Sequence, residues 1–188
     1  MKTEDVTIAN LRRVSVVGTS CSGKTTFAEN LASILNVRHI ELDALSWLPD
    51  WVERPKDEFL DLAREAADDE AWVFDGNYSL TRKMVWGRAT AIVWLNYSFP
   101  RTFYRALNRT MRRVLSGETI CAGNRETFKQ SFMSRDSILL WVLTSYHEKR
   151  RRYSKILQES KIDGKKIYIF RHPQQAKEFL HQIRQTKS

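Results

Sequence analysis

Cysteine is scarce in this chain: Cys21 and Cys121 are the only two in 188 residues, and they lie 100 positions apart. Neither has a companion at metal-ligand spacing, so neither a disulfide framework nor a zinc site is expected, and both thiols are expected to be reduced. Also missing is any unbroken apolar run approaching the roughly 20 residues that a membrane helix needs, so no membrane span is expected. The first dozen residues, MKTEDVTIANLR, mix charge and polarity without the apolar core of a secretory signal, which makes the cytosol the expected compartment. No internal repeat or low-complexity tract is present. Acidic residues are in deficit, 22 against 31 basic, for a formal charge of +9. That balance favours polyanionic partners, nucleotides or nucleic acid, and charge alone does not separate the two. With 42% apolar residues the length suits one α/β domain over 1–188.

What is present is an alternation. Residues 14–17, 39–42, 71–74, 91–95 and 166–170 are short apolar, β-rich runs, and each is bounded by polar or helical sequence. Between them fall helical patterns: Phe27, Leu31, Ile34 and Leu35 after the first run, then Phe59, Leu62, Ala63 and Ala66 behind Pro55. Further patterns cover about 101–115, 135–158 and 173–185. Short strands that read as continuous apolar runs are those buried on both faces, so the pattern predicts a three-layer α/β fold around a parallel sheet. Residues 116–131, SGETICAGNRETFKQS, with two glycines between helical patterns, are the candidate lid.

The first strand runs into Gly18-Thr19-Ser20-Cys21-Ser22-Gly23-Lys24-Thr25, followed by Thr26. The spacing G-x-x-x-x-G-K-T lets consecutive backbone N–H groups turn inward around phosphate oxygens, while the helix behind presents its positive end. It predicts a phosphate-binding loop for a nucleoside triphosphate, with ATP and Mg²⁺ expected. In such loops the lysine, here Lys24, bridges the β- and γ-phosphates, and the hydroxyl at the Thr25 position binds magnesium. Cys21, beside a lysine and a helix N-terminus, is either a reactive thiol or simply a small loop residue.

A loop of this kind fixes the phosphate donor and leaves the acceptor open. No N-K-x-D tetrapeptide is present, which argues against a guanine-specific switch. The strand Trp72-Val73-Phe74-Asp75 ends in an acid that could hold magnesium through water, but Gly76 stands where an ATP-hydrolysing motor carries glutamate. Transfer to a bound acceptor is favoured over hydrolysis.

These residues resemble the adenylate-kinase-like group of small P-loop phosphotransferases, which includes shikimate kinase. Asp75-Gly76-Asn77-Tyr78 is similar to the D-G-F-P-R stretch of adenylate kinases, with Asn-Tyr for Phe-Pro and the next arginine displaced to Arg82. Taken with Leu42-Asp43-Ala44-Leu45-Ser46-Trp47 and Ala122-Gly123-Asn124-Arg125-Glu126, it more closely resembles a subgroup known as DNA topology modulation proteins or adenylate-kinase-like ATPases. The resemblance implies five parallel strands in the order 2-3-1-4-5, a small lid, and an acceptor pocket beyond the ends of strands two and three. Asp43 would then orient or deprotonate an acceptor hydroxyl; the alternative is a polar residue ending a strand. Trp47, Trp51 and Tyr78 either line that pocket or belong to the core. Arg171, after the final strand, would lie near the purine, with backbone contacts to the ring, while His172 marks the turn into the last helix.

From Phe99 a helix is expected in which Phe103, Leu107, Met111 and Val114 form an apolar face and Arg101, Arg105, Arg109 and Arg112 a cationic stripe. Guanidinium forks grip phosphate oxygens, so Arg105 and Arg109 are candidates for stabilising the transferred charge, with Arg113 as a substitute if the helix is rotated. Arg125 and Arg135 would reach phosphate only when the lid closes. Lys149-Arg150-Arg151-Arg152 and Lys155 are expected on the wet side of a long helix whose buried side carries Ile138, Trp141, Val142 and Ser145. The expected protein is thus an ATP-dependent phosphotransferase acting on a nucleotide or hydroxyl-bearing metabolite, monomeric or homodimeric. The alternative is a nucleotide-gated nucleic-acid-binding regulator on the same fold.

Overall fold

The computed structural model describes residues 11–116, 119–120, 123–125, 138–159 and 164–187. Strands β1 (Arg13–Gly18), β2 (Arg38–Glu41), β3 (Trp72–Asp75), β4 (Ala91–Leu95) and β5 (Lys166–Phe170) form one parallel sheet in the order β2-β3-β1-β4-β5. The three central strands are apolar because both their faces are covered: Val14, Val16, Val17, Val73, Phe74, Ile92 and Val93 are all at most 1% exposed.

Helices α1 (Lys24–Leu35) and α7 (Pro173–Lys187) cover one face, where Phe27, Leu31, Phe179 and Ile183 pack on Val14, Val16 and Val93. On the other face, α3 (Lys56–Asp68) and α4 (Ser79–Arg88) pack on β2 and β3 through Phe59, Ala63, Val85, Trp72 and Phe74. The long α6 (Ile138–Glu159) lays Tyr153 and Leu157 on Val17, Ile92 and Trp94. α5 (Phe99–Ser116) runs beside α6. The predicted three-layer fold and strand order are observed.

Several boundaries differ from expectation. β2 ends at Glu41, and Leu42 instead opens a short helix, α2 (Leu42–Ser46). Helix α4, which was not expected from the pattern, follows Tyr78 directly. The buried line of α5 is Thr102, Ala106 and Thr110, while Met111 of the expected apolar face is exposed. Small side chains along that line let α5 approach the glycine loop closely, with Ala106 packed against Cys21 and Val142. On α6 the buried side is Val142, Tyr146, Tyr153 and Leu157. Lys149 shares that side at steps of four, three and four, and it is half-buried rather than on the wet face. The side chains of Ile138 and Trp141 lie outside the described residues.

The central β1 is flanked by β3 on one side and β4 on the other, and the crevice beyond the carboxyl ends of such strands is where α/β sheets bind ligands. Gly18 and Asp75 are the two residues that end β1 and β3 there.

Candidate active site

The chain leaves β1 at Gly18 and closes a tight turn in which Ser22 N–H donates to the Thr19 carbonyl at 3.1 Å. Cys21 takes a left-handed φ of 63° and Gly23 one of 88°, and the latter hands the chain to α1. No side chain caps that helix end. The hydroxyls of Thr19 and Ser22 are buried and meet no hydrogen-bond acceptor or donor among the described residues. Orphaned polar atoms in a glycine loop at an uncapped helix N-terminus are the arrangement an anion completes. Ser20 and Thr26 flank it, and Lys24 Nζ reaches back over the loop to the Thr19 carbonyl at 3.4 Å.

Thr25 and Asp75, expected to share a metal, are in contact. The Thr25 hydroxyl donates to Asp75 Oδ2 at 2.7 Å, and the carboxylate is almost wholly buried. Its other oxygen, Oδ1, lies 3.1 Å from His39 Nε2. Burial of His39 opposes its protonation, but the bond to Asp75 and the charges of Asp75, Glu29 and Glu41 outweigh that, so its pKa stands above the ordinary value. Glu41 is pushed up by burial, then by Asp75 and Asp43. Magnesium takes one or two carboxylates and fills its remaining positions with phosphate and water, so Thr25 and Asp75 fit that ion. Among the described residues no group of three or more His, Cys, Asp or Glu could hold a metal. His39 and Glu41 escaped sequence reasoning. Their signal was the register of β2, which sets Glu41 beside Asp75.

Arg105 comes to the loop from α5: a Cβ on Gly23 would lie 2.5 Å from Arg105 Nη2. The same guanidinium stands 5.9 Å from the Tyr97 ring, whose hydroxyl is raised in pKa by burial against the opposing pull of Arg105 and Arg101. Arg109, one turn on, and Arg113 are half-buried, and Arg112 is exposed. Lys149 enters from α6. Burial and the Lys24 charge pull its pKa down to about 8, against the attraction of Asp43, Glu148 and Cys21. It therefore sits in the field of both the donor lysine and the candidate acceptor aspartate. The run of basic residues around it concealed this, because one member of the run faces inward.

Asp43 stands exposed in the first turn of α2. Trp47 and Trp51 meet edge-on at 5.7 Å, and both are half-buried. Tyr78 is half-buried and packs on Phe59 at 5.0 Å, against the edge of the core. Arg82 stacks over the rings of Trp86 and Tyr153, at 5.6 and 5.8 Å. The backbone N–H groups of Arg171 and His172 both donate to Gln175 Oε1, at 2.8 and 3.1 Å, and the Arg171 side chain is exposed. Of the candidate lid, Thr119–Ile120 pairs antiparallel with Asn124–Arg125, and the second strand approaches the Pro49–Trp51 turn. Arg135 and the rest of that segment lie outside the described residues. No helix among the described residues is long and apolar enough to cross a membrane.

Two solved structures resemble the chain over nearly its full length. The shikimate kinase of Bacteroides thetaiotaomicron does so with a TM-score of 0.54 at 18% identity, covering 93% of this chain and 97% of that one. The shikimate kinase of Acinetobacter baumannii, solved in complex with shikimate, does so with a TM-score of 0.52 at 16% identity, covering 94% and 92%. At such identities the likeness is one of fold, the α/β P-loop kinase fold. No protein-family model and no curated protein matches the chain, and the narrower likeness to DNA topology modulation proteins gains no support from the comparisons.

Proposed function

We propose that this protein is a small kinase that moves the γ-phosphoryl group of Mg-ATP to a nucleotide or hydroxyl-bearing metabolite. The observation that carries this reading is at Gly76. Its φ is +142°, and a Cβ there would lie 2.7 Å from Leu42 Cβ. No side chain fits next to Asp75, at the position from which a hydrolytic glutamate would polarise water. Position 76 is thereby closed to a hydrolytic glutamate, while the loop, Asp75 and Arg105 supply the donor half of a transfer site.

In this reading Lys24 and the N–H groups of Gly18–Thr25 hold the β- and γ-phosphates. Thr25 and Asp75 hold magnesium, which neutralises phosphate charge when bound. Arg105, whose guanidinium lies against Gly23, and Arg109, one turn further along α5, would stabilise charge on the transferred group. Asp43 orients or deprotonates the acceptor hydroxyl, and Arg171 borders the base. Lys149, half-buried on α6 and in the field of Lys24 and Asp43, is a further cation of this site.

The test is ADP formation from Mg-ATP across a panel of nucleotides and hydroxyl-bearing metabolites, for the parent and for Lys24→Ala. Acceptor-dependent ADP formation that the substitution abolishes, in a variant that melts like the parent, is the expected result. Turnover that no acceptor alters would overturn the kinase reading. A second reading rests on the outward face of α6, where His147, Arg150, Arg151 and Lys155 border one exposed concavity. Such a face suits a nucleic-acid backbone, and a nucleotide-gated regulator would bind DNA with a steep salt slope that ATP changes. Absence of DNA binding at low salt removes it.

A further inference from the structure

The ladder between β1 and β3 runs out before β1 does. Val16 pairs with Asp75, and Gly76 N–H still reaches the Val16 carbonyl at 3.4 Å, but β3 turns away at Gly76. Gly18, two residues further on, is the first residue of the phosphate loop, and its backbone has no strand partner on the β3 side. The side chain of Asn77 takes that place. Its Nδ2 donates to the Gly18 carbonyl at 2.5 Å, and its Oδ1 accepts from Gly18 N–H at 3.4 Å. One amide group thus imitates the peptide that a longer β3 would have supplied.

Asn77 is in turn held from outside the sheet. Tyr153, on α6, donates its hydroxyl to Asn77 Oδ1 at 3.0 Å. The carbonyl oxygen of an amide has two lone pairs, and here they meet the two donors, Gly18 N–H and Tyr153 O–H, while the NH₂ meets the one acceptor. The opposite amide orientation would set donors against donors. Tyr153 is 3% exposed, its ring lies 6.3 Å from both Trp86 and Trp94, and Arg82 covers it at 5.8 Å. Its hydroxyl therefore has little freedom to leave Asn77. Tyr146, two turns earlier on the same face, donates to the Tyr97 carbonyl at 2.7 Å.

We propose that Asn77 and Tyr153 are positioning residues for nucleotide binding: together they fix the first peptide of the phosphate loop and tie it to the register of α6. Lys149, half-buried on the same face of α6, lies one turn before Tyr153, so the bond to Asn77 links that face of the helix to the loop. The chemistry explains the residue types. Aspartate at 77 would present two acceptors, one of them to a carbonyl, and phenylalanine at 153 would keep the packing but lose the donor. The proposal rests on the reading of Gly18–Thr25 as a nucleotide site.

The experiment compares the parent with Tyr153→Phe and Asn77→Asp by calorimetric binding of Mg-AMP-PNP, by melting, and by hydrogen exchange of the amides of residues 18–23. Leu180→Ala, in the layer on the opposite face of the sheet, is the control for plain loss of stability. Loss of one net hydrogen bond corresponds to roughly three- to tenfold. Tyr153→Phe is therefore expected to weaken Mg-AMP-PNP about fivefold and to speed exchange at 18–23, well below its melting temperature. Asn77→Asp is expected to weaken binding at least about tenfold. Leu180→Ala is expected to melt earlier with an unchanged dissociation constant. If Tyr153→Phe binds within twofold of the parent and its loop amides exchange at the parent rate, the proposal is overturned, whether or not Asn77→Asp folds. A parent that does not bind Mg-AMP-PNP sinks the nucleotide reading instead, and the exchange comparison still decides whether Tyr153 orders the loop.

Discussion

The guanidinium of Arg105 rests against Gly23, so close that a Cβ on that glycine would lie 2.5 Å from Arg105 Nη2. Gly23 is also held at a φ of 88°, where a side chain costs roughly 1–2 kcal/mol. Gly23→Ala should therefore distort the loop and displace the arginine together, with Mg-ATP affinity falling at least about tenfold. Arg105→Ala removes the cation and keeps the loop. If it contributes as a preorganised donor to the transferred charge, turnover should drop about 10²–10³-fold, with a smaller change in KM for ATP. Arg105→Lys should restore little, because a single ammonium does not reproduce a planar fork. Steady-state kcat and KM for the three variants separate these outcomes.

His39 and Asp75 make stability depend on pH in a definite direction. The folded pKa of His39 is raised, so the contact contributes fully below the unfolded value near 6.5 and is lost as pH rises through the folded value. In EDTA, urea unfolding of the parent and of His39→Gln should differ by about 1 kcal/mol more at pH 5.5 than at pH 8.5. A larger difference at alkaline pH would mean that His39 is held neutral.

The phosphate loop was legible because glycine spacing, a β-branched run before it and a helical pattern behind it agree. The central strands were legible because β1, β3 and β4 are buried on both faces and so read as apolar runs. Helix α4 was not, because Ser79–Arg88 buries only Thr81 and Val85 and shows no clear apolar stripe. The inward turn of Lys149 was hidden by the basic residues that follow it. Only the packing of Tyr146 and Tyr153 on either side fixes which face of α6 is buried. Asn77 could be read as part of a motif, but its bonds to Gly18 depend on where β3 leaves the sheet.

Asp43 supplies a test of the acceptor half that is independent of the donor half. It is exposed in α2 and bonds neither Thr25 nor the loop, so Asp43→Asn should leave Mg-AMP-PNP binding within about twofold of the parent. If the carboxylate orients or deprotonates the acceptor, turnover with any acceptor found in the panel should fall about 10²–10⁴-fold. Unchanged turnover would return Asp43 to the alternative, a polar residue in the turn after β2.

Lys149 makes the sharpest prediction about pH. Its folded pKa, about 8, is below the ordinary 10.5, so between those values the unfolded chain holds a proton that the folded protein has released. Stability of the nucleotide-free protein should rise with pH across that window, and Lys149→Met, which removes a half-buried charge repelled by Lys24, should raise the melting temperature at pH 7. A phosphate placed between the two lysines reverses the balance by favouring the ammonium. Binding of Mg-AMP-PNP at pH 8 should therefore take up a fraction of a proton, visible as a heat that changes with the ionisation enthalpy of the buffer. Lys149→Arg should bind without that uptake, because a guanidinium stays charged throughout, and Lys149→Met should bind more weakly despite its stability. Equal buffer dependence in the parent and Lys149→Arg would show that the proton comes from another group and that Lys149 does not face the bound phosphate.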